Sequence, residues 1–188
     1  MARRIDPSDP STAFWEADTL DDHLELVRRQ VQRSLADPET HRLAHGLFTG
    51  DTKVQAWGRF WKCAPCTNIR DNCAVINAVW NFCVLNVRYE HDPPDYDLFC
   101  TVRKTLEAKV GDCDDSTIVL CSLLKALGWQ DTRGRVITTD NTRWTHIYAV
   151  VSKNRNGSGG LIALDPTVKG ATPGWEYAGS KQHRDFIF

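Results

Sequence analysis

The sequence predicts an α+β domain. Three observations point there: amphipathic helical patterns come first, short runs of strand type follow, and between them lies one helix that is apolar on most of its circumference. A helix of that last kind belongs in the middle of a domain, packed on a sheet. With 188 residues, 41% of them hydrophobic, the chain can bury one sizeable core and is short for two. The expected organisation is a helical extension with an irregular Trp/Cys segment over 1–70, followed by a domain over 71–188.

The elements follow in order. After a Pro/Ser/Asp-rich leader, Leu20, Leu24, Val27, Val31 and Leu35 recur at spacings of three or four, with Glu25, Arg28, Arg29 and Gln32 between them, which predicts an amphipathic helix beginning near Asp18 or Thr19. Asp37-Pro38-Glu39 supplies a capping residue, a proline for the first helical position and an acid for the first turn, launching a second helix that stops near Gly50. Residues 51–70 contain Trp57, Phe60, Trp61 and a Cys63-Ala64-Pro65-Cys66 turn without clear periodicity, so an irregular segment is expected. A third helix should carry Cys73, Ile76, Val79, Trp80, Cys83, Val84 and Val87 on one stripe and break at His91-Asp92-Pro93-Pro94-Asp95. Ile118, Val119, Leu120, Cys121, Leu123, Leu124, Ala126 and Leu127 form the buried helix, closed by Gly128. Strands are expected over 135–139, 144–151 and 161–164, with a polar turn at Asp140-Asn141 and a loop over 153–160; the short gaps favour an antiparallel sheet.

Composition narrows the function classes. Lys plus Arg (23) nearly balances Asp plus Glu (24) and no basic stripe exists, which argues against nucleic acid as a partner. The start is basic, but residues 5–12 hold two prolines and two aspartates in place of an apolar segment, so no signal peptide is expected. No apolar run approaches the ~18 residues a membrane span requires. Seven cysteines is an odd number; without a signal peptide a full disulfide framework is not expected and at least one thiol should be free. Cys83 and Cys121 sit among apolar helical neighbours, as small buried hydrophobes do.

Cys113 is different. Gly111-Asp112-Cys113-Asp114-Asp115-Ser116 places it where the buried helix begins, where unpartnered N–H groups and the helix dipole favour a thiolate and where its own amide can serve an oxyanion. Gly111 would permit close approach of another backbone, and the two following aspartates oppose thiolate formation. In the strand that follows, alternation puts His146 on the same face as Trp144, Tyr148 and Val150, a rigid mount for a base. Asp165 ends the next strand, where Pro166 stops ladder pairing; a buried carboxylate there needs a partner, and the imidazole of His146 is the natural one. Taken singly, each has a structural explanation: a helix start, a half-buried histidine, a turn. Together Cys113, His146 and Asp165 meet the requirements for nucleophile, base and orienter.

These blocks also resemble a known family. Gly-Asp-Cys-Asp-Asp (111–115), Thr-His-Ile-Tyr-Ala-Val (145–150) and Leu-Asp-Pro-Thr-Val (164–168), in this order and near this spacing, look like the three motifs of transglutaminase-like cysteine peptidases, with the resemblance running over about 71–176. Leu-Asp-Pro-Thr-Val followed by Pro173-Gly174-Trp175-Glu176 is similar to bacteriophage-encoded members. The resemblance implies a papain-like core with Cys113 as nucleophile, His146 as general base and then acid, and Asp165 as orienter. It further implies a thioester route acting on peptide or carboxamide bonds, by hydrolysis or by transfer to an amine, with no cofactor and no metal. A viral source would place the protein in the host cytoplasm during synthesis and in a virion, as on a tail, where it could trim peptides of the cell envelope.

Two other readings compete. Cys63-x-x-Cys66, with Cys73 and Cys83 downstream, could form a zinc site or a redox pair, although Cys73 and Cys83 fit a helical stripe and no second close pair follows. Alternatively the chain is a virion structural or assembly protein that uses the fold as an interaction module, with its seven tryptophans partly at an interface with other virion proteins. His23, His41, His45, His91 and His183 fall on expected helical surfaces, a Pro-rich turn and a polar tail and are assigned no chemistry; Tyr89, Trp144 and Trp175 are candidate groove walls.

Overall fold

A computed structural model of the 188-residue chain describes residues 11–15, 19–49, 51–64, 66, 68, 70–93, 97–138 and 143–188. The leader over 1–10, Pro94, Asp95 and the Asp140-Asn141 turn lie outside the described residues. The elements run β1 (Thr12–Trp15), α1 (Leu20–Ala36), α2 (Pro38–Gly46), β2 (Lys53–Ala56), β3 (Arg59–Lys62), α3 (Asn72–Asn86), β4 (Arg88–Tyr89), β5 (Asp97–Cys100), α4 (Val102–Ala108), β6 (Val110–Gly111), α5 (Cys113–Ala126), β7 (Thr132–Thr138), β8 (His146–Ser152), β9 (Leu161–Leu164) and β10 (Gln182–Ile187). The fold is α+β, with helices packed against an antiparallel sheet ordered β10-β7-β8-β9.

Local chemistry sets the helix starts. Thr19 Oγ1 accepts from the Asp22 N–H at 3.2 Å to cap α1, and Asp37 accepts from the Glu39 N–H at 2.9 Å to cap α2, whose first residue is the expected proline. Each bond satisfies one of the N–H groups a first turn leaves unpaired. α2 ends at Gly46, earlier than its pattern implied.

α5 organises the core. Every residue from Asp114 to Leu124 is buried, and the helix contacts α1, α2, α3, α4 and the β7–β8 face. One apolar cluster joins Leu24 and Val31 of α1, Leu43 of α2, Val79 and Phe82 of α3, Leu120 of α5 and Ile147, Ala149 and Val151 of β8. The helices of the first seventy residues therefore share their core with the sheet. Ile137, Tyr148, Val150 and Ala163 form a smaller cluster, and strand alternation places them on the other face of the sheet.

Besides the early end of α2 and the helix α4, which no pattern announced, the structure departs from the expectations in four places. Residues 53–62 are a β-hairpin, turned by Trp57 and Gly58 at φ 49° and 67°, both positive as the tightest hairpin turns require. Val54, Ala56 and Trp61 point inward at alternate positions, but Trp57 is not a residue that advertises a left-handed conformation. α3 is rotated from its predicted stripe: Val75, Ile76, Ala78, Val79, Phe82 and Cys83 are buried, whereas Cys73 and Val84 are exposed. The polar tail is an edge strand, β10, held to β7 by a two-pronged Arg135–Asp185 pair at 2.6 and 2.8 Å. Two further pairings, β1 with β5 and β4 with β6, involve four and two residues per strand, too few for a periodic signal. No helix among the described residues is long and apolar enough to cross a membrane.

Close packing around α5 makes specific demands. A Cβ on Gly111 would lie 2.8 Å from the Asp115 Cβ and 3.1 Å from Thr105 Cγ2, so the glycine makes room for two side chains rather than for another backbone. Gly111→Ala is expected to cost about 1–3 kcal/mol by overpacking. Leu120→Ala, at a site with no exposure, should cost about 2–5 kcal/mol. Phe60→Ala, on the open face of β3, should change stability by no more than about 0.5 kcal/mol. Urea unfolding monitored by tryptophan fluorescence checks all three.

Candidate functional site

The site assembles where α5 begins and β8 begins. Asp112 caps α5: its Oδ1 accepts from the N–H groups of Asp114 and Asp115 at 3.1 and 3.3 Å. Cys113 is the first helical residue, partly exposed, and its sulfur accepts a hydrogen bond from the Ile147 N–H, one residue past His146. β8 thereby meets the helix N-terminus, and Cys113 and His146 line one cavity of about 770 Å³ together with His23, Asp97, Arg143 and Trp144.

His146 and Asp165 come together as anticipated. β8 and β9 pair with Ala149 opposite Leu164, so one further step sets Asp165 opposite Tyr148 and diagonal to His146. His146 Nε2 donates to Asp165 Oδ2 at 2.6 Å, and the other carboxylate oxygen accepts from the Thr167 N–H at 3.0 Å and its hydroxyl at 2.6 Å. Burial pushes this carboxyl upward, but the imidazole and the two Thr167 bonds outweigh it, and Asp165 titrates below the ordinary carboxylate range. The bond commits Nε2 and leaves Nδ1 as the ring nitrogen available to other groups. The ring also lies 5.9 Å from that of Tyr148.

The charge state of Cys113 differs from the sequence expectation. Burial raises the thiol well above its usual value, the carboxylates of Asp114, Asp112 and Asp165 add to the rise, and the Ile147 N–H opposes it. A helix N-terminus offers about half a positive charge, too little against desolvation and three acids. These surroundings favour the thiol over the thiolate. The same crowding raises Asp112 through burial first and then the charges of Asp114, Asp115 and Asp92. Asp115, with no exposure, accepts from the Cys100 N–H at 2.9 Å and ties the end of β5 to the start of α5.

One histidine assigned no chemistry belongs to the site. His23 lies 3.2 Å from Asp114 through Nε2 and faces the cavity from α1. A signal existed: His23 falls three residues after Leu20 and four before Val27, on the apolar stripe rather than the solvent face. Trp144 lines the cavity as expected. The Tyr89 hydroxyl bonds His91 Nδ1 at 3.2 Å and titrates near 12, raised first by burial and then by neighbouring acidic groups, Asp112, Asp114 and Asp165 among them. Trp175 instead packs edge-on against Tyr177, at 6.1 Å, and is not among the cavity walls.

The remaining cysteines hold no metal-like cluster among the described residues. All seven are free thiols, and Cys63 donates to the Asp51 carbonyl at 3.0 Å. Cys73 and Cys83 sit ten residues apart on α3, about 15 Å along its axis, which separates them as ligands. The described group of donors that do converge, Asp112, Cys113 and Asp114, lies within 4.8 Å; its carboxylates are engaged in capping α5 and pairing with His23, and that is the role assigned to them. Cys83, buried and raised to about 12, is an inert core thiol. Comparison of the chain with protein-family models, with curated proteins and with solved structures finds no match.

Proposed function

We propose that the chain is a Cys-His-Asp thiol enzyme acting on peptide or carboxamide bonds through a thioester, on a core of the papain-like, transglutaminase-like type. The observation that carries this reading is the 2.6 Å His146–Asp165 bond at a cavity that also holds Cys113. A buried carboxylate fixing an imidazole beside a thiol is the arrangement of nucleophilic catalysis.

Because the surroundings of Cys113 disfavour the thiolate, the chemistry proposed is general-base catalysis and not attack by a preformed thiolate. The proton passes from sulfur to His146 Nδ1 as sulfur adds to the substrate carbonyl. Asp165 stabilises the imidazolium that results. The tetrahedral oxyanion sits at the α5 N-terminus, where the Cys113 N–H and the helix dipole meet it. His146 then donates the proton from Nδ1 to the departing amine or ammonia, leaving a thioester on Cys113. Attack by water regenerates the thiol with a carboxylic acid; attack by a primary amine yields a new amide. A cavity of about 770 Å³, with Trp144 at one wall, has room for an extended peptide segment.

Alkylation by iodoacetamide between pH 6 and 10, mapped by mass spectrometry, tests the reading. Cys113 is expected to react with a midpoint above the ordinary thiol value of about 8.5, because its raised pKa keeps it protonated until the pH passes that value. His146→Ala should slow labelling at pH 8 by about tenfold, equivalent to one further unit of rise. A rate at Cys113 that ignores His146 would sink the enzyme reading in favour of a binding module. With a panel of glutamine peptides and other amides, Cys113→Ala should abolish turnover and His146→Ala lower kcat by about 10²–10⁴. Ammonia release measured against incorporation of a fluorescent amine separates hydrolysis from transfer.

A further inference from the structure

We infer that His23 is a positioning residue of the Cys113 site: projecting from α1, it pairs with Asp114 and so governs the negative charge that stands beside the nucleophile. The inference rests on the thiol-enzyme reading for its importance, but its geometry stands separately. Nε2 of His23 lies 3.2 Å from Asp114 Oδ1, and Nδ1 lies 3.8 Å from Asp97 Oδ2. Phe99 meets the imidazole edge-on at 4.7 Å, which fixes the ring plane. The Asp114 side chain is 6% exposed, so water screens it little and a protein cation must do the work.

The charged surroundings are dominated by acids. α5 presents Asp112, Asp114 and Asp115, β5 presents Asp97, and Asp92 precedes it; His146 and Arg143 stand across the cavity. On the other elements against α1, β1 has no titratable residue, α4 holds Lys104 and a mutual Arg103–Glu107 pair, and α2 pairs Glu39 with Arg42. On α1 itself Asp22 is bonded by Thr19. Burial works against a charged imidazole, yet Asp114, then Asp97 and Asp92, more than compensate, and His23 titrates above 6.5. Below that raised value His23 is a cation and cancels Asp114. As the pH climbs through it the cation is lost, and the Asp114 charge bears fully on Cys113, holding the thiol protonated. α1 thus contributes to the site a charge that the two motif strands and α5 do not supply.

The test is the pH profile of Cys113 alkylation by iodoacetamide in the full chain, for His23→Gln, Asp114→Asn and the double variant. Glutamine retains a hydrogen-bond donor and lacks the titrating charge. His23→Gln should slow labelling roughly three- to tenfold at pH 6, up to one unit of thiol pKa, and converge on the parent rate by pH 9. Asp114→Asn should speed labelling, and His23→Gln should have no further effect in that background. A His23→Gln profile parallel to the parent at every pH overturns the inference, and so does an equal effect with and without Asp114. If His23→Gln does not fold, Asp114→Asn decides alone, since an unchanged profile there is equally fatal. Failure of the enzyme reading registers elsewhere, as indifference of Cys113 to His146→Ala.

Discussion

Burial of α5 on all sides is the constraint from which the rest of the structure follows. A helix enclosed by four others and a sheet has little solvent to satisfy its first turn, so that turn is capped from within. Asp112 does this with one oxygen for two N–H groups, Asp115 reaches across to the amide of Cys100, and Gly111 is kept small so that Asp115 fits. The carboxylates collected at this end are favoured by the helix dipole and disfavoured by one another. His23 relieves that conflict at Asp114, which couples α1 to the same point.

Cys113 inherits the electrostatics of this cap. Its position at a helix N-terminus and its partly enclosed, acid-lined surroundings pull in opposite directions, and enclosure wins. A thiol of this kind needs a base held within reach rather than a general positive field, which is what the His146–Asp165 pair provides in the proposed chemistry. Thr167 completes the hydrogen bonding of Asp165, so the carboxylate at the end of β9 is buried at little cost and the imidazole plane is set. The rigidity of that arrangement comes from the strand register, since Tyr148 and Val150 anchor β8 in the smaller apolar cluster just beyond the histidine.

Legibility in the sequence tracked the strength of local signals. α1 and α2 follow from apolar spacing and from Thr19 and Asp37, residues whose side chains make the capping bonds themselves. β8 and β9 follow from short apolar runs bounded by turn residues. The 53–62 hairpin escaped because its turn uses Trp57 at positive φ, a conformation stabilised from outside by Glu39 Oε2 at the Trp57 N–H and by Asp37 Oδ2 at the indole. β10 escaped because an edge strand with ion-paired arginine and aspartate reads as a polar tail. His23 escaped for a related reason: its place on the apolar stripe of α1 was visible, but the acid that makes it matter lies 91 residues away.

By itself the sequence determined the α+β class, the central helix with Cys113 at its start, and the pairing of His146 with Asp165, because capping residues, periodicity and the need of a buried carboxylate for a partner are all local properties. Tertiary structure alone decided that the helices of the first seventy residues share the core of the sheet, that the surroundings of Cys113 disfavour the thiolate, and that His23 stands over Asp114. Those outcomes depend on which charges are brought together and how much water is removed from them, and both quantities are set by contacts between segments far apart in the chain.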